Sequence, residues 1–169
     1  MTVMERSPRE IAASVLDPEM PLLTLEDLGV LRDVTVAQDG TVVVTITPTY
    51  SGCPAMATMR DDIAHKLHDH GYVDVEIRTS LAPAWSSDWI SEEGRRKLRE
   101  TGYSVPRPAR RRPTTGPIPL TLTVQPRTIA CPQCGSLNTI LKSEFGATLC
   151  KAQYHCSDCL EPFDHVKEI

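Results

Sequence analysis

The chain has 169 residues, of which 40% are hydrophobic, 24% charged and 5% aromatic, and its net charge is −4. No run approaches the ~18 apolar residues of a membrane span, and the start MTVMERSPRE lacks the apolar core of a signal peptide. A soluble cytoplasmic protein is expected, and six cysteines in that setting read as thiols or metal ligands rather than disulfides.

The net charge conceals a division. Residues 1–93 hold 6 basic and 16 acidic side chains, residues 94–112 hold 8 basic ones and a single acid, Glu100, and residues 113–169 hold 4 and 5. An acidic domain is followed by a basic strap from Arg95 to Arg112, then by a near-neutral tail.

In chain order, SPREIAASVLD predicts a first helix, with Ser7 as its cap, Pro8 in its first turn and Ile11 and Val15 four apart. A Pro- and acid-rich loop runs from Asp17 to Gly29. VLRDVTVA alternates Val30, Arg32, Val34 and Val36 as a half-buried strand does. Gln38-Asp39-Gly40 supplies a hairpin turn, and TVVVTITP the second strand. PAMATMRDDIAHKLHDHG spaces Met56, Met59, Ile63 and Leu67 as the apolar stripe of a helix, with Gly71 at its C-terminal cap. VDVEIRTSL is a third strand, and SEEGRRKLRETG a last helix capped by Ser91.

The order αββαβα predicts an α+β sandwich over residues 1–103, with helices against one face of a small mixed sheet. SVPRPARRRPTTGPIP has five prolines in sixteen residues, so residues 104–126 read as an extended linker. Residues 127–169 form the tail.

CPQCGS and CSDC place Cys131, Cys134, Cys156 and Cys159 in two CxxC pairs separated by 21 residues, which is the pattern of a zinc ribbon. A piece this small buries too little to fold alone, so a structural zinc is expected to hold it. TILKSEFGATLCKAQYHC between the pairs reads as a hairpin with Gly146 near its turn. A rubredoxin-like iron centre also uses two CxxC turns, but CSDCL lacks the glycine such a centre usually has. Cys150 reads as a small buried hydrophobe, with replacement of one ligand as the alternative. His155 and His165 read as surface residues held in reserve as ligands.

Cys53 stands apart, in TYSGCPAM between a strand and a helix. Pro54 fits a first helical position, which makes Cys53 the expected N-cap. The helix dipole is then expected to lower the thiol pKa toward neutrality. His65, His68 and His70 lie along the same helix, about 18 Å or more away at 1.5 Å rise per residue, and read as solvated with Asp61, Asp62 and Asp69. The acidic loop offers nearer candidates: Asp17, Glu19, Glu26 and Asp27. Local sequence leaves open whether Cys53 is functional or packed filler.

Together, DPEMPLLTLEDLGVL, the hairpin and TPTYSGCPAM resemble the small domain shared by bacterial SufT proteins and eukaryotic cytosolic iron–sulfur assembly factors. LAPAWSSDWISEEGRRKLRETG and the tail CPQCGS…SEFGATLCKA…CSDCLEPFDH narrow the resemblance to the PaaD proteins, encoded with the multicomponent phenylacetyl-CoA epoxidase of aerobic phenylacetate breakdown. The resemblance spans nearly the whole chain apart from the linker. It implies an accessory factor, not an enzyme. Such a factor helps mature an iron–sulfur or di-iron centre in the oxygenase or reductase component, and the working expectation is that the ribbon docks the client. It places the family's reactive cysteine on Cys53, and the expectation built on that is a transient iron or cluster ligand with Asp17, Glu19 and Asp27 as candidate helpers. The Asp-Pro-Glu signature falls on residues 17–19 and the Asp-Leu-Gly on residues 27–29.

Three other classes compete with that reading. A rubredoxin-like electron carrier is the main alternative. A nucleic-acid binder is suggested by the strap but opposed by the acidic first domain and scarce aromatics. An enzyme is opposed because no base stands near Cys53 and no Glu-x-x-His helix motif occurs. Pairing of two chains around one shared cluster, a homodimer, stays open.

Overall fold

A computed structural model describes residues 6–108 and 128–169. The linker expectation for residues 109–126 lies outside the described residues. The chain divides into two compact units, one ending at Leu98 and the other running from Arg99 to Glu168.

In the first unit, α1 (Pro8–Ala13) begins as expected. Ser7 accepts from the Glu10 N–H and the Glu10 side chain accepts from Ser7, closing a capping box around Pro8. β1 (Leu31–Val36) and β2 (Val42–Ile46) are antiparallel, and β3 (Val75–Thr79) pairs parallel with β2, giving the order β1-β2-β3. A parallel pair needs a crossover, and α2 (Met56–Asp69) supplies it. A short 3₁₀ turn (Ser87–Trp89) precedes α3 (Glu92–Glu100), whose Gly94 N–H is capped by Ser91 Oγ at 2.9 Å. The expected αββαβα order and mixed sheet are present.

Packing falls where the periodicities put it, except on β1, one of the two edge strands. β2 is central and alternates fully: Val42, Val44 and Ile46 are buried. Met59, Ile63 and Leu67 form the buried stripe of α2, which packs on α1 and β3, and Gly71 takes φ +90° beyond its end. The expected alternation through Arg32 breaks in β1. A register shift between Leu31 and Asp33 makes a bulge there, and Val36 is 56% exposed. Two residues opposing one shift the phase, so Val34 and Val36 share the face of Leu31, opposite the buried Val44 and Val42, and Val36 is exposed only because it ends an edge strand.

The topology gathers loops at one end of this sheet. Ile46 pairs with Leu31 and Thr79, and the Thr47 N–H donates to Val30 O at 2.8 Å. The loop leading into β1 and the loops leaving β2 and β3 therefore meet there. Ligands in sheets with parallel pairs collect at the carboxyl ends of the strands.

In the second unit, β4 (Thr139–Ser143), β5 (Lys151–Cys156) and β6 (Pro162–Val166) form an antiparallel sheet in that order. The hairpin between the cysteine pairs is as expected, with the Gly146 N–H on Lys151 O. β6 is an addition: Phe163 lies opposite Tyr154 and stacks on it at 5.8 Å. Ser104 also joins this unit, bonding Asp164 O and accepting from the Val166 N–H. The compact units divide after Leu98, inside α3, whereas the expected boundary lies at 103, one residue before Ser104 joins β6. Among the described residues, no helix is long and apolar enough to cross a membrane.

Candidate functional site

The four ribbon cysteines converge. Their sulfurs lie within 4.8 Å of one another, with Cys131 Sγ 3.7 Å from Cys159 Sγ and Cys134 Sγ 3.6 Å from Cys156 Sγ. Among the described residues no other cluster of three or more Cys, His or acidic ligand atoms forms. Two knuckles aim backbone donors at the sulfurs: the Ser136 N–H at Cys134, the Cys159 and Asp158 N–H groups at Cys156, and the Glu161 N–H at Cys159. Gly135 makes the first knuckle possible at φ +73°.

The thiols compete for ionisation. N–H bonds from Cys159 and Asp158 bring Cys156 down to about 7. The Glu161 N–H favours the Cys159 thiolate, yet burial and three neighbouring thiols push it up to about 12. Four sulfurs this close ionise together only around a cation. The donor set and geometry therefore fit a tetrahedral four-thiolate metal. All six cysteines are free of disulfides.

The reserve ligands stay out of the cluster. Cys150 is buried beside Thr148 Oγ1 at 3.1 Å. His155 is half-buried. His165, read from sequence as a surface residue, is 3% exposed, with Nδ1 3.0 Å from Ser104 Oγ. β6 carries its side chain inward, and an unrecognised strand conceals that.

Cys53 lies in the loop leaving β2, between a turn closed by its N–H on Tyr50 O and one closed by its carbonyl with the Met56 N–H. α2 begins at Met56 with Ala55 in the cap position, which corrects the expected cap at Cys53. A cap-like bond survives, because the Ala55 N–H reaches the thiol, as does the Tyr50 hydroxyl. The expected drop in pKa does not follow. Burial raises the Cys53 pKa, and the charges of Glu19 and Asp17 raise it further. Cys53 is 7% exposed, so desolvation of a thiolate outweighs two hydrogen bonds.

The acidic loop splits into two groups. Asp17 and Glu19 act on Cys53. Asp17 is itself 4% exposed and accepts from the Glu19 and Met20 N–H groups at 2.9 and 2.7 Å, so the Asp-Pro-Glu run is a turn that holds its own carboxylate. Asp27 belongs elsewhere. Its carboxylate takes Lys97 Nζ at 2.7 Å and the Thr24 N–H at 3.0 Å, and its pKa is lowered, burial notwithstanding, by those partners. Glu26 pairs with Arg9 at 3.0 Å. The Asp-Leu-Gly run is an anchor for the segment before α3: Asp27 O receives the Ser91 N–H, Leu28 O receives Trp85 Nε1, and a Cβ at Gly29 would stand 2.6 Å from Trp89. His65 and His68 on α2 and His70 at its C-cap are exposed, His68 and His70 against nearby carbonyls.

Comparison with known proteins agrees with this two-part architecture. Residues 12–78 match the family described as iron-sulfur cluster assembly protein, and residues 116–167 the PaaD zinc beta ribbon domain. A protein of Escherichia coli strain K12, named as one of the components of 1,2-phenylacetyl-CoA epoxidase, is 40% identical over 157 residues, 93% of this chain and 88% of that one. An Fe-S protein maturation auxiliary factor of Porphyromonas gingivalis is 37% identical over 86 residues, covering 50% of this chain and 81% of the relative. The crystal structure of a domain of unknown function, DUF59, from Bacillus anthracis superposes with a TM-score of 0.51 at 26% identity, over 56% of this chain and 90% of that one. The thiol loop falls within the assembly-protein match and the four-cysteine cluster within the ribbon match, so the chain belongs to the PaaD family.

Proposed function

We propose that this chain is an accessory factor of the phenylacetyl-CoA epoxidase system. It assists assembly of an iron–sulfur or di-iron centre in the oxygenase or its reductase, and has no catalytic turnover of its own. The observation that carries the reading is the buried Cys53 thiol under the charges of Glu19 and Asp17. That setting is poor for a nucleophile, since the thiolate is scarce at neutral pH and two carboxylates repel anions. It suits a cation. Iron, as cargo, displaces the thiol proton and reverses the electrostatics that oppose ionisation. Cys53 is then a transient iron or cluster ligand, with Asp17 and Glu19 lowering the energy of the bound cation. Asp27, engaged with Lys97, serves the scaffold.

The ribbon holds a structural zinc on Cys131, Cys134, Cys156 and Cys159. The ribbon family's description and the leucine after Cys159, where a rubredoxin-like turn carries glycine, support zinc over iron. The bound ion supplies folding energy and fixes both knuckles; the protein's N–H donors spread the thiolate charge.

The test is a Cys53→Ala strain. The variant is expected to fold and keep its zinc, while the epoxidase components purified from that strain lack metal and activity. Fully metallated, active epoxidase from that strain would sink the proposal.

A further inference from the structure

The two metal knuckles solve the same turn with different residues. After the second cysteine of each, the backbone enters the left-handed region, at Gly135 with φ +73° and at Leu160 with φ +66°. Glycine adopts that conformation freely, whereas a leucine Cβ crowds the carbonyl that follows. Leu160 has the only positive φ among the described non-glycine residues. Packing does not compensate for the strain, because the side chain is 69% exposed. The turn explains the conformation, since it delivers the Glu161 N–H to Cys159. It does not explain a leucine.

A second exposed leucine lies on the other knuckle, where Leu137 is 59% exposed. Its neighbours brace the two knuckles together. Ser136 Oγ and Asn138 Nδ2 donate to Asp158, and the Ser157 N–H donates to Asn138 O at 2.8 Å. The two leucines are therefore exposed on a braced pair of knuckles, the tip of the ribbon. Residues 131–137 and 156–161 contain no lysine or arginine, while Asp158 and Glu161 are exposed acids. Four thiolates around a divalent ion add negative charge to the same tip.

The geometry points to Leu160 and Leu137 as the apolar anchors of a docking tip. Its partner is a protein face with an apolar pocket bordered by lysine or arginine. Strained residues persist where function requires them, and exposed apolar anchors ringed by charge give an interface affinity at the centre and orientation at the rim. Nucleic acid is a poor occupant, since phosphates would meet an acidic tip. The inference rests on the accessory role proposed above only in choosing the epoxidase components as the probe.

The test uses the full zinc-loaded chain with purified oxygenase and reductase components, measured separately by biolayer interferometry at low and raised salt. Leu160→Gly is expected to keep its zinc and melt no lower than the parent, because glycine relieves the strain. It is also expected to weaken capture of one component by about tenfold or more. Leu137→Ser should weaken the same capture, and raised salt should weaken the parent's. Parent-like binding by Leu160→Gly overturns the inference, and so does failure of the parent to capture either component. A parent dimer that Leu160→Gly dissociates, seen by sedimentation, makes the occupant a second copy and overturns the heterologous partner. Cys53→Ala should bind like the parent. If it does while its strain still yields metallated epoxidase, the docking tip stands and the assembly role falls.

Discussion

At Cys53 two hydrogen bonds favour the thiolate, while burial and two carboxylates oppose it. Burial comes first among these causes, and the balance leaves the pKa above the ordinary thiol value. The sign is testable through reactivity. Alkylation follows the thiolate fraction, so below the pKa the rate rises about tenfold per pH unit. Glu19→Gln removes a negative charge beside the thiol and should lower its pKa, moving the alkylation profile to lower pH. At about pH 7.5 the labelling rate at Cys53, followed by mass spectrometry with iodoacetamide, should rise several-fold over the parent. A slower or unchanged rate would mean that Glu19 does not act on the thiol. Asp17→Asn is the weaker experiment, because that carboxylate also holds the Glu19 and Met20 N–H groups and its loss disturbs the turn.

Among the elements, the segment from Asp27 to Gly29 does more for packing than its acidic, glycine-ended sequence suggests. Gly29 has φ +69°, and a Cβ there would meet Trp89 Cβ and O at 2.6 Å. Gly29→Ala therefore carries both backbone strain and overpacking, together about 2–4 kcal/mol. The midpoint of urea unfolding of the first unit should fall accordingly, while zinc content stays at the parent level. An unchanged midpoint would show that the 85–94 segment is not anchored there. These elements also mark where sequence was readable. The Ser7 cap, the Gly40 hairpin and the Met59-Ile63-Leu67 stripe are local patterns, and they were legible as such. The two CxxC pairs were legible because their spacing is itself the signal. The bulge after Leu31 was not, because alternation of side-chain type survives an inserted residue while facing does not. β6 was missed because PFDHV is short and begins with proline. The environment of Cys53 was out of reach for a different reason: Asp17 and Glu19 come to it through the pairing of Leu31 with Ile46, a long-range contact that no local pattern contains.

For the whole molecule, the two units draw stability from different sources. The first has a broad aliphatic core, with Ile11, Leu23, Leu25, Ile63, Leu67 and Leu98 fully buried. The ribbon's core is Ile129, Cys131, Ala152, Tyr154, Cys156 and Phe163, and two of those six side chains are in the four-thiol cluster. Such a core cannot offset the entropy of ordering its strands, whereas a structural zinc contributes about 10–16 kcal/mol at neutral pH. Metal removal should thus distinguish the units. In the full chain under reducing conditions, excess chelator at about pH 7 is expected to abolish amide-exchange protection in β4, β5 and β6. Protection in β2 and α2 should hold, with one zinc per chain released into the chelator. Acid should act in the same direction, because protons compete for the thiolates. Zinc return at neutral pH should restore the pattern. If the ribbon strands stay protected without metal, its folding does not depend on the four thiolates. If β2 and α2 lose protection with them, the division at Leu98 is not a division in stability.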